Sequence, residues 1–306
     1  MKSRAVIKSC YWEITKKCNL HCLHCIAAAG NRKELNETST LKIINILQDW
    51  GCGELYLTGG EPLIRQDIFN LLKKARENKM KTSLLSNGTL INNKNIKLIK
   101  SYVEELGISL DGASSKINDS IRGKHTFRKI INTINLAKKH KIPITLYFTL
   151  CKLNISDFEN ILKTVKSLKV NNIRVNEISL RGRAYKNRKI LEFNRQEALN
   201  LKQNLLNILK KFNYQKKDFW FYNSCEINNK NIFISPQGYV YPCIEVYQQK
   251  PNYHLGNILK ISKEEFKSKR DKCLASKPKN CPYVFAVKND LALCLNNQSA
   301  KCELCF

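Results

Sequence analysis

The sequence predicts an α/β protein: a parallel sheet of six strands curled into part of a barrel, with a small cysteine-rich domain after it. Three observations predict this. Strand-like and helix-like stretches alternate six times between residues 10 and 178, with short connections. Turns rich in Gly, Ser, Asn and Asp follow successive strands at their C-terminal ends, where barrel enzymes gather their working residues. Seven of the thirteen cysteines fall after residue 224.

Cys10–Thr15 reads as the first strand, short and rich in β-formers. Thr38, Ser39 and Thr40 offer N-cap chemistry, and Leu41, Ile44 and Leu47 recur at helical spacing. Glu54–Thr58 is the second strand and runs into Gly59-Gly60-Glu61-Pro62. Two glycines permit close backbone approach or positive φ, and proline stiffens the exit. Gln66–Asn78 is helical, Lys81–Ser86 is the third strand, and Asn87-Gly88 ends it. Asn92–Tyr102 is helical, and Glu105–Leu110 is a fourth strand ending in Asp111-Gly112. Phe127–His140 is a helix, Ile142–Leu150 the fifth strand, Ser156–Leu168 a helix and Asn172–Ile178 the sixth strand. Ser156 with Glu159 has the form of a capping box. Tyr185–Lys189 is basic and polar, as a linker is. Gln196–Phe212, with Leu199, Leu205, Leu206 and Leu209 on one side, is a bridging helix. Ile232–Ser235 and Tyr239–Tyr241 form a hairpin around Pro236-Gln237-Gly238.

The chemistry begins at Cys18-Asn19-Leu20-His21-Cys22-Leu23-His24-Cys25, in the turn after the first strand. Three cysteines within eight residues suit one compact inorganic ligand better than a disulfide framework. Thiolates bind soft metals and iron–sulfur clusters. Three thiolates on a four-iron cube leave one iron open, and an open coordination position means chemistry. A zinc knuckle is the plainer alternative for the triplet alone.

Composition narrows the class. With 306 residues, one large and one small domain are expected. No run of eighteen apolar residues exists, and the N-terminus lacks the apolar core of a signal peptide, so a cytoplasmic protein without membrane spans is expected. An odd number of cysteines there argues for reduced thiols and metal ligation. Cys10, Cys52 and Cys151 sit in apolar contexts and read as small buried hydrophobes. The net charge of +28 attracts anions, but the lysines spread along every helix, so charge alone does not argue for nucleic acid.

At its cysteine triplet and its GGEP turn the chain resembles the radical S-adenosylmethionine superfamily. The signature is C-x3-C-x2-C with an aromatic or apolar residue before the third cysteine; here that residue is His24. The resemblance implies a partial (β/α)6 TIM-like barrel over residues 1–190 and a [4Fe-4S] cluster on Cys18, Cys22 and Cys25. Its open iron would chelate S-adenosylmethionine, which the cluster cleaves to a 5′-deoxyadenosyl radical. Gly59, Gly60 and Glu61 correspond to the contact with the methionine amino group. Ser86, Asn87, Ser109 and Asp111 lie where relatives hold the ribose and the methionine carboxylate. Arg122 and Arg183 could hold carboxylates of cofactor or substrate.

Ser109-Leu110-Asp111-Gly112, Ile121-Arg122-Gly123 with Thr126-Phe127, and Leu180-Arg181-Gly182-Arg183-Ala184 look like the peptide-modifying branch, which carries SPASM or twitch domains. Such a domain is expected over residues 219–306, after a bridge at 191–218. GYVYPC, with Gly238 four intervening residues before Cys243, is typical of it. Seven late cysteines are available, but the compact central SPASM block is missing. Cys225, Cys243, Cys302 and Cys305 fit the twitch arrangement, so one auxiliary [4Fe-4S] cluster is expected. Two clusters would recruit Cys273, Cys281 and Cys294. Zinc on the same four cysteines is the structural alternative.

The function implied is hydrogen abstraction from a ribosomally synthesised peptide, giving a crosslink, a thioether or an epimerised residue. For epimerisation, a spare thiol such as Cys281 or Cys294 could return the hydrogen. Nine residues before the first strand leave no room for a fused leader-binding domain, so a leader would meet a separate partner or the basic surface. A reductant such as flavodoxin or ferredoxin would supply the electron. Dehydrogenation of an aminocyclitol, tetrapyrrole modification and sulfatase maturation are enzyme alternatives. A zinc-containing nucleic-acid-binding protein is the alternative from another class.

Overall fold

The computed structural model describes residues 6–26, 33–170, 172–194, scattered positions between 196 and 212, 230–249 and 252–275. Cys225, Cys281, Cys294, Cys302 and Cys305 lie outside the described residues.

Six strands run in chain order as a parallel arc: β1 Ser9–Thr15, β2 Glu54–Gly59, β3 Lys81–Ser86, β4 Glu105–Ser109, β5 Ile144–Leu150 and β6 Asn172–Glu177. Between them lie α1 Glu37–Asp49, α2 Ile68–Glu77, α3 Ile96–Tyr102, α4 Ser115–Arg122, α5 Thr126–Lys139 and α6 Phe158–Ser167. Four helices bury one stripe at a single spacing. It is Thr40, Ile43, Ile44 and Leu47 in α1, and Ile68, Leu71, Leu72 and Ala75 in α2. In α5 it is Ile130, Thr133, Ile134 and Ala137, and in α6 Phe158, Ile161, Leu162 and Val165. An i, i+3, i+4, i+7 stripe is the face a helix lays on a sheet. These stripes pack on Trp12, Leu55, Leu57, Leu84, Leu106, Ile108 and Leu146 in one continuous core. Cys10, Cys52 and Cys151 are buried free thiols, as their sequence contexts predict.

The other side of the arc is polar and aromatic. Tyr11 and Tyr56 stack there with ring centroids 4.4 Å apart, and Arg174 sits 5.6 Å from the Tyr147 ring. Gly107 makes room for that ring: a Cβ there would lie 2.8 Å from Tyr147 Cε2.

The sheet has nine strands among the described residues, in the order β6-β5-β4-β3-β2-β1-β7-β8-β9. The predicted hairpin is present as β7 Asn231–Ile234 and β8 Tyr239–Tyr241, with Gly238 at φ 82° in its turn. It joins the arc directly: β7 pairs parallel with β1, Ser9 opposite Asn231 and Trp12 opposite Ile234. A two-residue β9, Gly256–Asn257, completes that end.

Three local expectations are corrected. Asn36 caps α1, its side chain accepting from the Ser39 N–H at 3.0 Å, in place of Thr38–Thr40. Ser156 lies inside a 3₁₀ turn, Ile155–Asp157, and α6 starts one residue later, so the expected capping box does not form. Tyr185–Lys189 is not a free linker but part of two short helices, α7 Gly182–Lys186 and α8 Arg188–Leu191. The described positions from 196 to 211 are helical.

Candidate active site

Every element of the arc contributes to one rim. The loop after β1 carries the three cysteines, which line a single open-mouthed cavity of about 290 Å³. Gly59 and Gly60 from β2, Ser86 and Asn87 from β3, Ser109 from β4 and Arg122 from α4 line it too. Among the described residues no three His, Cys, Asp or Glu side chains converge on a single-ion site. The three cysteines share the lining of that one cavity.

The GGE turn is welded to the base of the cysteine loop. Gly60 N donates to Thr15 O at 2.9 Å and Glu61 N to Lys17 O at 2.8 Å. A Cβ on Gly60 would lie 2.2 Å from Lys17 O, so only glycine allows this approach. Glu61 is fully buried, and its carboxylate faces the protein. Oε1 accepts from Ser86 Oγ at 2.9 Å and from Leu63 N at 3.1 Å; Oε2 accepts from Asn87 N at 2.7 Å. Burial pushes this carboxyl up to about 7, against the pull of its three donors. Its oxygens are thus committed to bracing the end of β3, and the glycines of the turn are what line the cavity.

Asn87 carries that brace to the cysteines. Its Nδ2 donates to Asn19 Oδ1 at 2.9 Å and lies 3.9 Å from Cys18 Sγ. Asn19 in turn donates to Thr89 Oγ1 at 2.8 Å. Sequence reasoning missed Asn19 and Thr89, although Asn19 stands inside the cysteine motif.

His24 and Arg122 both meet Asp111. Asp111 is fully buried. Its Oδ2 lies 2.7 Å from His24 Nε2 and 2.5 Å from Arg122 Nε, and Oδ1 accepts from Thr149 N at 2.7 Å. Burial alone would raise the Asp111 carboxyl; Arg122 and His24 overcome it and hold it at about 2. Asp111 is therefore a hub that fastens the third cysteine's neighbour to α4 and β5. His24 Nδ1 is buried without a partner, and Arg122 borders the cavity.

The end of the loop rests on α4 and α7. Leu23 N donates to Ile121 O at 2.9 Å, Arg183 N to Cys25 O at 2.9 Å and Arg183 Nε to Cys22 O at 3.1 Å. Gly182 sits at φ 55°, and a Cβ there would meet Ile26 O at 2.5 Å. The GRA motif thus serves the cysteine loop, with Arg183 also at the cavity wall. Ser179 and Gln248 line the cavity as well, unforeseen in the sequence.

Burial raises the Cys18 thiol, and it pushes Cys22 up to about 11 although Arg122 pulls the other way. Such thiols give up their protons to a soft metal, not to water at neutral pH. Three thiols on one wall, glycine-only backbone approaches and an unpartnered buried imidazole nitrogen fit a cluster with a polar cofactor beside it.

Comparison with known proteins agrees. The family model described as the Radical SAM superfamily matches residues 12–165, and one described as an iron–sulfur cluster-binding domain, SPASM, matches 225–283. The chain is 28% identical to the antilisterial bacteriocin subtilosin biosynthesis protein AlbA of Bacillus subtilis over 83% of its length and 58% of that protein's. It is 33% identical to the Fe-coproporphyrin III synthase of Methanosarcina barkeri over 57% of its length and 45% of that protein's. The chain spans about half the length of the curated relatives it matches. Among solved structures, Streptococcus suis SuiB superposes with a TM-score of 0.72 at 17% identity, covering 92% of this chain and 72% of that one. The anSMEcpe structure with bound AdoMet and the Cp18Cys peptide gives 0.71 at 20% identity, covering 90% and 86%. With the cysteine triplet, the GGE turn and the arc already in place, these matches show that the chain belongs to the radical SAM superfamily.

Proposed function

We propose that the chain cleaves S-adenosylmethionine reductively and uses the resulting radical to abstract hydrogen from a ribosomally synthesised peptide. The carrying observation is the single cavity that gathers Cys18, Cys22 and Cys25 with Gly59, Gly60, Ser86, Asn87, Ser109 and Arg122. When bound there, a four-iron cluster with S-adenosylmethionine supplies a 5′-deoxyadenosyl radical. The three thiols hold the metal. The GGE backbone and Ser109 meet the methionine end, and Arg122 offers a cation to its carboxylate. Asp111 and Glu61 position these groups without touching the cofactor.

Several features support a peptide substrate. The SPASM match includes Cys243, SuiB has been crystallised with the precursor peptide SuiA, and the relatives include the bacteriocin subtilosin biosynthesis protein AlbA and the mycofactocin maturase MftC. We place the auxiliary cluster on Cys225, Cys243, Cys302 and Cys305, within a domain over 219–306. A separate leader-binding partner and a small reductant, flavodoxin or ferredoxin, complete the proposal. A second reading is tetrapyrrole modification, which the match to Fe-coproporphyrin III synthase over more than half of this chain favours.

Anaerobic reconstitution followed by dithionite and S-adenosylmethionine should yield 5′-deoxyadenosine. Changing Cys18, Cys22 and Cys25 together to alanine should abolish it while the chain stays folded. Persistent cleavage by that variant would sink the assignment. Mass spectrometry of a peptide encoded beside the gene and co-expressed with the enzyme should show loss of hydrogen, or, where the mass is unchanged, chiral amino-acid analysis should show an epimerised residue. An unmodified peptide together with an altered porphyrin spectrum would favour the second reading.

A further inference from the structure

One short helix reaches both flanks of the cysteine loop. It is Ile244–Gln249, which directly follows Cys243. Its first turn closes with Tyr247 N donating to Cys243 O at 3.3 Å. The Tyr247 hydroxyl donates to Glu13 Oε2 at 2.5 Å. Lys16 Nζ meets the same oxygen at 3.3 Å and lies 5.1 Å from the Tyr247 ring centroid. Glu13 and Lys16 are both buried, and Lys16 stands two residues before Cys18. The Tyr247 ring is fixed in turn, stacked on Phe233 of β7 at 4.7 Å and edge-on to Tyr241 of β8 at 4.9 Å.

The next residue serves the other flank. Gln248 lines the cavity, and its Oε1 accepts from Arg181 Nη1 at 2.6 Å. Arg181 precedes Gly182 and Arg183, whose backbone and guanidinium hold the carbonyls of Cys25 and Cys22. Contacts therefore run from Lys16, at the start of the loop, through Tyr247 and Gln248 to Arg183 at its end. One end of this run lies on β1 and the residue after it, and the other at Arg181, just after β6.

We propose that the helix Ile244–Gln249 is a positioning strap: Tyr247 and Gln248 hold the two flanks of the cysteine loop in the geometry that binds S-adenosylmethionine. This rests on the loop being the cofactor site. A buried carboxylate that pairs with an ammonium and a hydroxyl has few alternative arrangements, so the loop's start is set by where Tyr247 stands. A displacement of about 1 Å is enough to cost a reaction a factor of about 100. The strap also ties Cys243 to the strand that leads into the cysteine loop, through the Tyr247 N–H to Cys243 O and the Tyr247 hydroxyl to Glu13.

The test uses the reconstituted full chain and reads the dissociation constant for S-adenosylmethionine by equilibrium dialysis. It also reads the change that the cofactor causes in the spin-resonance spectrum of the reduced first cluster. Tyr247→Phe keeps the ring stacks and removes only the hydroxyl. It should weaken binding about three- to tenfold, the equivalent of one ordinary net hydrogen bond, with iron content and melting temperature retained. Glu13→Gln should do the same, and the double variant should be no weaker than the worse single one, because one contact is shared. Gln248→Ala tests the other flank and should weaken binding at least about twofold even if Tyr247→Phe loads poorly. Unchanged affinity in both Tyr247→Phe and Gln248→Ala, or effects of Tyr247→Phe and Glu13→Gln that multiply, overturn the strap. A wild-type chain that loads iron but binds no S-adenosylmethionine overturns the reading of the loop itself.

Discussion

Asp111 is a buried charge paired on two sides. It is fully buried and ionised because Arg122 and His24 face it. Asp111→Asn keeps the shape but leaves the buried Arg122 without its counter-charge. Breaking a buried pair from one side typically costs about 3–5 kcal/mol, and urea unfolding of the variant should show a loss of that order. The pH dependence follows from the direction of the shift. A carboxyl held at about 2 adds stability above its ordinary range near 3.8, and loses it as pH falls through 2. The wild-type advantage over Asp111→Asn should therefore be full at pH 6 and shrink below pH 4. Glu61 is the opposite case, a carboxylate spent on the protein's own donors. Glu61→Ala should weaken S-adenosylmethionine binding about ten- to a hundredfold by releasing Ser86 and Asn87. Glu61→Gln, which keeps an acceptor, should recover most of it; no recovery in a titration would mean that the charge itself is needed.

At the scale of elements, the decisive joint lies between the turn after β2 and the loop after β1. Gly60→Ala must push Lys17 O away from a contact of 2.2 Å, and the two nearest atoms are backbone, with Cys18 Cβ third at 3.0 Å. We expect this variant to retain its helical circular dichroism and lose 5′-deoxyadenosine formation. Normal turnover would show that the joint yields. Most of the six strands and their helices were legible in the sequence, because each has one buried stripe or a β-branched run that local periodicity displays. Helix α4 was not. It buries Asn118, Ile121 and Arg122, so two of its three inward residues are polar and its apolar face is only the pair Ile117 and Ile121. Asp119 then serves the start of α5 from outside, accepting from the Phe127 N–H at 2.7 Å. The cysteine triplet and GGEP were legible as a site because their residue types admit few other uses. The hub at Asp111 was not, because the partners of a buried carboxylate are chosen by the fold: His24 and Arg122 lie 87 and 11 residues away in the chain. The pairing of β7 with β1 was equally hidden, since a hairpin pattern announces β8 as the partner and says nothing of a strand 222 residues earlier.

For the molecule as a whole, the number of clusters decides how the C-terminal part works. A single closed cluster on four thiolates has no open iron and suits electron relay better than substrate ligation. The reconstituted chain should then hold about eight irons, and the triple alanine variant of the first motif about four. About eight irons in that variant would bring Cys273, Cys281 and Cys294 in as ligands. Zinc in place of iron would make the C-terminal part structural and remove electron relay from the mechanism. The joining of β7 to β1 carries a further consequence, in the order of synthesis. A chain leaves the ribosome from its N-terminus. β1 is therefore the first strand made and among the last completed, because its second neighbour, Asn231–Ile234, emerges more than two hundred residues later. Until then one side of a seven-residue strand built on Trp12 and Ile14 is an open edge, the kind that pairs with other chains. Tyr247, which anchors the loop's start, arrives later still. The start of the cysteine loop thus gains its last support only after the C-terminal hairpin is made, and a nascent chain stalled before residue 230 should hold its first cluster less stably than the full chain and aggregate through β1.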